Sequence, residues 1–125
     1  MIDLQSDPLT EKIIGYAIAV HRQLGPGLLE SIYESALRVE HEFNGLGCER
    51  QSAFPLDYRE RLIGEFRLEL IVEHAVVLEL ESVERMDPVF DAQFLTYLRR
   101  TGIKRGLLIN FNSRLLKDGI KRLVL

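Results

Sequence analysis

The stretch FRLELIVEHAVVLELES, Phe66 to Ser82, narrows the choice of folds more than any other part of the chain. Phe66, Leu68, Leu70 and Val72 alternate with Arg67, Glu69, Ile71 and Glu73. Beyond a short break, Val76, Leu78 and Leu80 alternate with Val77, Glu79 and Glu81. Successive side chains on a strand point to opposite faces, so the pattern predicts a β-hairpin with one apolar face and one face crowded with carboxylates. A turn centred on His74 sets Leu70 opposite Leu78, Glu69 opposite Glu79 and Arg67 opposite Glu81. Any other register that keeps the apolar face intact shifts these partners by an even step. Like charges opposed across a ladder are unfavourable, and Glu69 facing Glu79 therefore asks for a cation, a proton or a basic partner.

The flanking segments supply the rest of an α/β fold. Thr10 is the expected N-cap of a first helix over about Glu11 to Leu24, with Ile13, Ile14, Ala17, Ile18, His21 and Leu24 as its stripe. A histidine on such a stripe is more often a hydrogen-bonded core residue than a ligand. Gly25-Pro26-Gly27 ends the helix without the pattern of a phosphate-binding glycine loop. A second helix over about Leu28 to Phe43 is expected to bury Ile32, Ala36, Val39 and Phe43, with Glu30, Tyr33, Glu34 and Leu37 on a neighbouring stripe. Glu30 in its first turn also suits the helix dipole.

Cys48 to Tyr58 reads as extended, and Pro55 marks it as an edge strand or a break. Arg59-Glu60-Arg61 turns the chain into the hairpin, whose first strand could start as early as Leu62. Asp87-Pro88 opens a third helix that runs to about Thr101 and stops at Gly102. Gln93 and Tyr97 share one face of it, and Phe94, Leu95 and Leu98 face the core. The apolar run Gly106 to Phe111 is the signature of a strand buried on both sides, and its place after a helix predicts a parallel partner. Ile120 to Leu125 is expected to be a last short strand. The order is α-α-β-β-β-α-β-β, in one domain spanning residues 1–125.

Composition excludes several classes. With 46% hydrophobic and 28% charged residues the chain resembles an ordinary soluble globular protein, and no apolar run approaches the roughly 20 residues that span a bilayer. Met1 to Pro8 is acidic and too short for a signal peptide, so a cytoplasmic location and no membrane partner are expected. The lone Cys48 cannot form an internal disulfide and reads as a small hydrophobe at a strand start. Neither it nor the three scattered histidines have zinc spacing.

The net charge of −3 argues against a non-specific nucleic-acid binder, but the charge is unevenly spread. Residues 99–125 hold eight Lys or Arg against Asp118 alone, a local +7, leaving −10 on the other 98 residues. That basic segment could hold a phosphate backbone close to an acidic metal site, or it could simply be solvated. Glu69, Glu79 and Glu81 converge on one hairpin face, and Glu30 could reach it from the side. Hard oxygen donors of this kind suit Mg²⁺ or Mn²⁺.

The segment LGPGLLESIY, Leu24 to Tyr33, spaces Gly27, Glu30 and Tyr33 as G-x-x-E-x-x-Y and resembles the family named for that motif. The likeness extends through LTEKIIG, HRQLGPG, the hairpin, DAQFLTYLRRTG and LLINFNSRLLKDGIKRLV. That family is placed in the PD-(D/E)XK nuclease superfamily. The resemblance implies a restriction-endonuclease-like core, with a mixed central sheet flanked by helices, and a metal-dependent nuclease acting on nucleic-acid phosphodiesters. It assigns Glu30 to the helix acid, Glu79 to the E of E-x-K, and Gln93 with Tyr97 to a Q-x-x-x-Y pair. Glu69 stands where aspartate is expected and Glu81 where lysine is expected.

The implied Mg²⁺ or Mn²⁺ ligands are Glu30, Glu69 and Glu79. The first departure adds a methylene, and a shift of about 1 Å in such a site can cost on the order of 100-fold in rate. The second reverses a charge: Glu81 can accept hydrogen bonds, act as a base or bind metal, whereas lysine would stabilise negative charge. Some restriction enzymes of the superfamily work with glutamate at this place. Two readings follow: a nuclease with a degenerate site, or an inactive member serving as a nucleic-acid-binding or protein-interaction module in which Arg67 pairs with Glu81. The expected partner is nucleic acid, through basic residues of 99–125, with a homo-oligomer left open.

Overall fold

A computed structural model describes residues 7–125, so most of the acidic stretch Met1 to Pro8 lies outside the described residues. The elements are α1 (Pro8–Leu24), α2 (Glu30–Phe43), β1 (Cys48–Tyr58), β2 (Arg61–Val72), β3 (Val76–Glu81), α3 (Pro88–Thr101), β4 (Arg105–Asn110) and β5 (Ile120–Val124). This is the expected order, with a 3-10 turn at Leu116–Gly119 added between the last two strands. The five strands form one sheet in sequence order, and Pro55 lies on the edge strand β1. Neighbours are antiparallel except β3 and β4, which run parallel on either side of the α3 crossover.

Two cores sandwich the sheet. On one side Ile13, Ala17, Tyr33 and Leu37 of α1 and α2 pack on Leu78, Leu80 and Ile109. On the other side Phe94 and Leu98 of α3 pack on Ile71, Val77 and Leu108. Alternating residues of β4 thus serve both cores, as the unbroken apolar run GLLIN requires of a strand covered on both faces. Gly106 allows a close approach between α3 and the sheet: a Cβ there would lie 2.4 Å from the Phe94 ring.

Both early helices differ from expectation. Asp7, not Thr10, caps α1, accepting from the Thr10 backbone N–H at 2.9 Å and from its hydroxyl at 2.6 Å. Asp7-Pro8 repeats the cap-plus-proline start of Asp87-Pro88, so the helix opens three residues earlier. Helix α2 buries Tyr33, Glu34, Leu37 and His41, while Ile32, Val39 and Phe43 are exposed, Phe43 by 87%. Distant partners decide between the two stripes. Tyr33 stacks on Phe111 at 4.3 Å, and Glu34 accepts hydrogen bonds from Arg50 and Gln51.

The hairpin has the expected register, with Leu70 opposite Leu78, Ile71 opposite Val77 and Val72 opposite Val76. Glu73 and His74 form its turn with φ of 53° and 55°. The single apolar face does not persist. Leu70 and Val72 face α1 and α2, but Phe66 and Leu68 belong to the α3 core. The strand turns over at Glu69, between the pairs Arg50–Leu70 and Ser52–Leu68, where Gln51 of β1 has φ of 51°. Arg67 is consequently turned outward onto the Gln51 carbonyl and Glu65, each at 3.2 Å, and the expected pairing with Glu81 does not form.

Candidate active site

The β2–β3 ladder ends at Leu70–Leu78, and the two strands part at the next position. The Glu69 carboxylate occupies the gap. Its Oε2 accepts from the Leu80 N–H at 3.2 Å, taking the place of a ladder carbonyl, and its other contact is the carboxyl of Glu79. Burial, followed by the charge of Glu79, pushes the Glu69 carboxyl far above the usual range. Burial also raises Glu79, against a hydrogen bond from Glu69 that favours its ionised form. The pair therefore shares a proton at neutral pH, one of the three ways of relieving opposed carboxylates.

Glu81, two residues along the same strand face, is pushed up to about 7 by burial and by Glu30. Glu30 stands at the first position of α2 and hydrogen-bonds Glu81, which links the four carboxylates in a chain. On the α3 side, Glu79 and Glu81 share a narrow cleft with Phe90, Gln93 and Tyr97. Gln93 Nε2 donates to the Tyr97 hydroxyl at 3.0 Å, and the Tyr97 ring stacks on Phe66 at 4.6 Å. Burial, then the charge of Glu79, raises the Tyr97 phenol. All six residues singled out from the sequence meet at this end of the sheet.

The loop between α1 and α2 is tied to the site by residues whose roles were not evident beforehand. Tyr33 donates its hydroxyl proton to the Gly25 carbonyl at 2.5 Å and accepts from the Leu28 N–H at 3.1 Å, which gives the third residue of G-x-x-E-x-x-Y a structural task. Ser82 donates to the Leu28 carbonyl at 2.7 Å, fixing the loop that carries Glu30 to the end of the strand that carries Glu81. Asn110 is 5% exposed; its amide donates to the Val83 carbonyl at 2.9 Å and accepts from the Val83 and Asn112 N–H groups. A polar residue closing the apolar run GLLIN was the available signal for it.

Other expectations resolve simply. His21 is a core residue, its Nε2 bonded to the Ser113 carbonyl at 2.8 Å. Burial raises the Cys48 thiol and disfavours the thiolate, as suits a packing residue. Of the eight basic residues in 99–125, three are held by carboxylates among the described residues: Arg105 by Asp7, Lys121 by Asp91 and Arg122 by Glu11. Among the described residues no helix is long and apolar enough to cross a membrane.

Among the described residues no three His, Cys, Asp or Glu side chains stand ready in a metal-binding group. The donor chemistry nevertheless fits a hard divalent cation. Glu79 Oε1 is buried without a partner, and among the described residues no Lys or Arg pairs with Glu30, Glu69, Glu79 or Glu81.

Carboxylates set where two strands of a mixed, helix-flanked sheet part, with a Gln–Tyr pair beside them, place the chain among nuclease-like α/β proteins. The family comparison agrees at finer grain. A family model described as the PD-(D/E)XK nuclease superfamily matches residues 7–123, and the chain belongs to that superfamily. No curated protein and no solved structure matches it.

Proposed function

We propose that this chain is a metal-dependent phosphodiesterase acting on nucleic acid, of the narrower family named for G-x-x-E-x-x-Y. The observation that carries the reading is the orphaned Glu79 Oε1 beside Glu69 in a cleft shared with Gln93 and Tyr97. Two half-buried carboxylates with no basic partner are costly unless a proton or a cation joins them. Glu69 and Glu79, with Glu30, would hold Mg²⁺ or Mn²⁺, which when bound supplies a Lewis acid and an activated water.

The chain's own groups then divide the remaining work. Glu81 has Glu30 as its partner and a pKa near neutrality, so it can take up a proton at the site in place of the missing lysine's electrostatic role. Gln93 donates to Tyr97 and thereby leaves the phenol O–H to point into the cleft as a donor to a phosphate oxygen. The test is a nuclease assay on single- and double-stranded DNA and RNA with Mg²⁺ and Mn²⁺. Cleavage by the wild type that disappears in Glu79→Ala supports the reading; cleavage equal in both, or none in either, removes it.

A second reading has one observation in its favour. Glu69 hydrogen-bonds Glu79, and Glu81 hydrogen-bonds Glu30, so the carboxylates have partners in one another without a cation. In that case the chain is an inactive superfamily member that binds nucleic acid or protein. Thermal melts separate the two, because a cation that binds the native state must raise Tm. No rise with millimolar Mg²⁺ or Mn²⁺, together with stabilisation by Glu79→Gln, favours the inactive reading.

A further inference from the structure

We infer that a basic cavity on the far side of the α1–α2 loop is a phosphate-binding subsite for the nucleic-acid strand whose scissile bond lies at the acidic site. The inference rests on the nuclease-type reading above and extends it to the strand's path. The cavity has a volume of about 480 Å³ and draws one cation from each of three segments: Arg22 from the last turn of α1, Arg114 from the loop after β4, and Lys117 from the 3-10 turn. Among the described residues no carboxylate lines it, and Asp118, the neighbour of Lys117, is not among its walls. Three like charges gathered around one cavity are unfavourable unless an anion joins them.

The state of these cations sets them apart from the other basic residues of the C-terminal segment. Arg105, Lys121 and Arg122 are held in ion pairs, whereas among the described residues Arg22, Arg114 and Lys117 have no carboxylate partner. The cavity is also larger than a bare phosphate needs. Pro26, Ile18 and the 54% exposed Leu115 supply apolar wall for the sugar or base that the phosphate carries.

Its position supplies the link to the acidic site. Gly25 and Pro26 line the basic cavity, and the next residues, Gly27 to Ser31, line a second cavity of about 460 Å³ that includes Glu30. The opposite wall is equally continuous, from Asn112 in the second cavity to Arg114 through Lys117 in the first. Both walls are fixed, one by Tyr33 at Gly25 and the other by His21 at Ser113. A strand leaving Glu30 along this pair of walls meets the basic cavity next. Consecutive Cα atoms lie about 3.8 Å apart, so each wall passes from one cavity to the other within one or two residues.

Two measurements test the inference. In the first, inorganic phosphate is titrated into ¹⁵N-labelled protein, and the amides of residues 22 and 114–117 are followed in wild type and in Arg114→Ala/Lys117→Ala. Saturable shifts in the wild type that vanish in the double variant support a phosphate site; no saturable shift at these amides overturns it. In the second, a fluorescein-labelled single-stranded DNA 12-mer is bound in EDTA over a range of salt. The double variant is compared with Arg59→Ala/Arg61→Ala, which removes the same charge at the β1–β2 turn. The expected result is at least ~10-fold weaker binding and a salt slope smaller by about 1.4 for Arg114→Ala/Lys117→Ala, with little change in the control.

Equal losses in both double variants would mean bulk charge and overturn the strand path. Phosphate shifts without any strand binding would reassign the cavity to a free phosphate compound, which also overturns it. Strand binding that depends on Arg114 and Lys117, with no cleavage under any metal, leaves the subsite standing and removes the nuclease reading alone.

Discussion

The proton shared by Glu69 and Glu79 makes metal-free stability depend on pH in the direction opposite to that of an ordinary salt-bridged carboxylate. Both folded pKa values lie above the unfolded value of 4.5, so the folded state holds more protons than the unfolded one at neutral pH. Stability from these groups is complete below the unfolded pKa and is lost as pH rises through the folded values. While one extra proton is held, the loss is about 1.4 kcal/mol per pH unit. Between about pH 6.5 and about pH 8.5 this amounts to roughly 3 kcal/mol, or about 10 °C in Tm for a chain of this size. Glu81 acts in the same sense. The assay is differential scanning calorimetry in EDTA at several pH values, on wild type and Glu69→Gln. The glutamine keeps an acceptor for the Leu80 N–H and gains an amide donor for Glu79, so its Tm should change far less over the same range. Parallel Tm-versus-pH curves for the two proteins would refute the shared proton.

Three further outcomes follow from single contacts. Burial lowers the pKa of His41, whose ring nitrogens are both buried without partners among the described residues. Its stabilising contribution is present above the unfolded value of 6.5 and is lost as pH falls towards the folded one, so His41→Phe should flatten the acid limb of a Tm-versus-pH curve. Tyr33→Phe keeps the stack on Phe111 but leaves the Gly25 carbonyl and Leu28 N–H unpaired, at a cost of about 1–3 kcal/mol in urea melts; faster hydrogen exchange at Leu28 should accompany it. Gly106→Ala drives a methyl into the Phe94 ring and should destabilise by about 1–3 kcal/mol, partly recovered by Phe94→Leu in the same chain.

What could be read from the sequence was local, and what could not was set by partners far along the chain. The hairpin register was readable because the side-chain period and a turn at His74 leave few alternatives, and the helix α3 start because Asp87-Pro88 is a self-contained signal. The buried face of α2 was not. Two stripes have helical spacing there, and the choice rests on Phe111, Arg50 and Gln51, which lie outside the helix. The rotation of β2 at Glu69 left no sequence mark either, because Gln51 adopts a positive φ without being glycine, asparagine or aspartate.

That rotation bears directly on the site. With Arg67 turned to Gln51 and Glu65, the one cation the hairpin pattern offered to Glu81 is spent elsewhere. Among the described residues no other Lys or Arg pairs with Glu81 in its place, and Arg22, Arg114 and Lys117 face a different cavity. Positive charge for the four carboxylates has to come as protons, which alkaline pH removes, or as a bound cation, which it does not. If the cation is the functional solution, Mn²⁺ should restore most of the Tm lost between about pH 6.5 and about pH 8.5 in the wild type and little in Glu69→Gln, where a ligand is gone and fewer protons are lost. Equal restoration in both proteins would place the metal away from Glu69 and leave the shared proton as the only charge that this site requires.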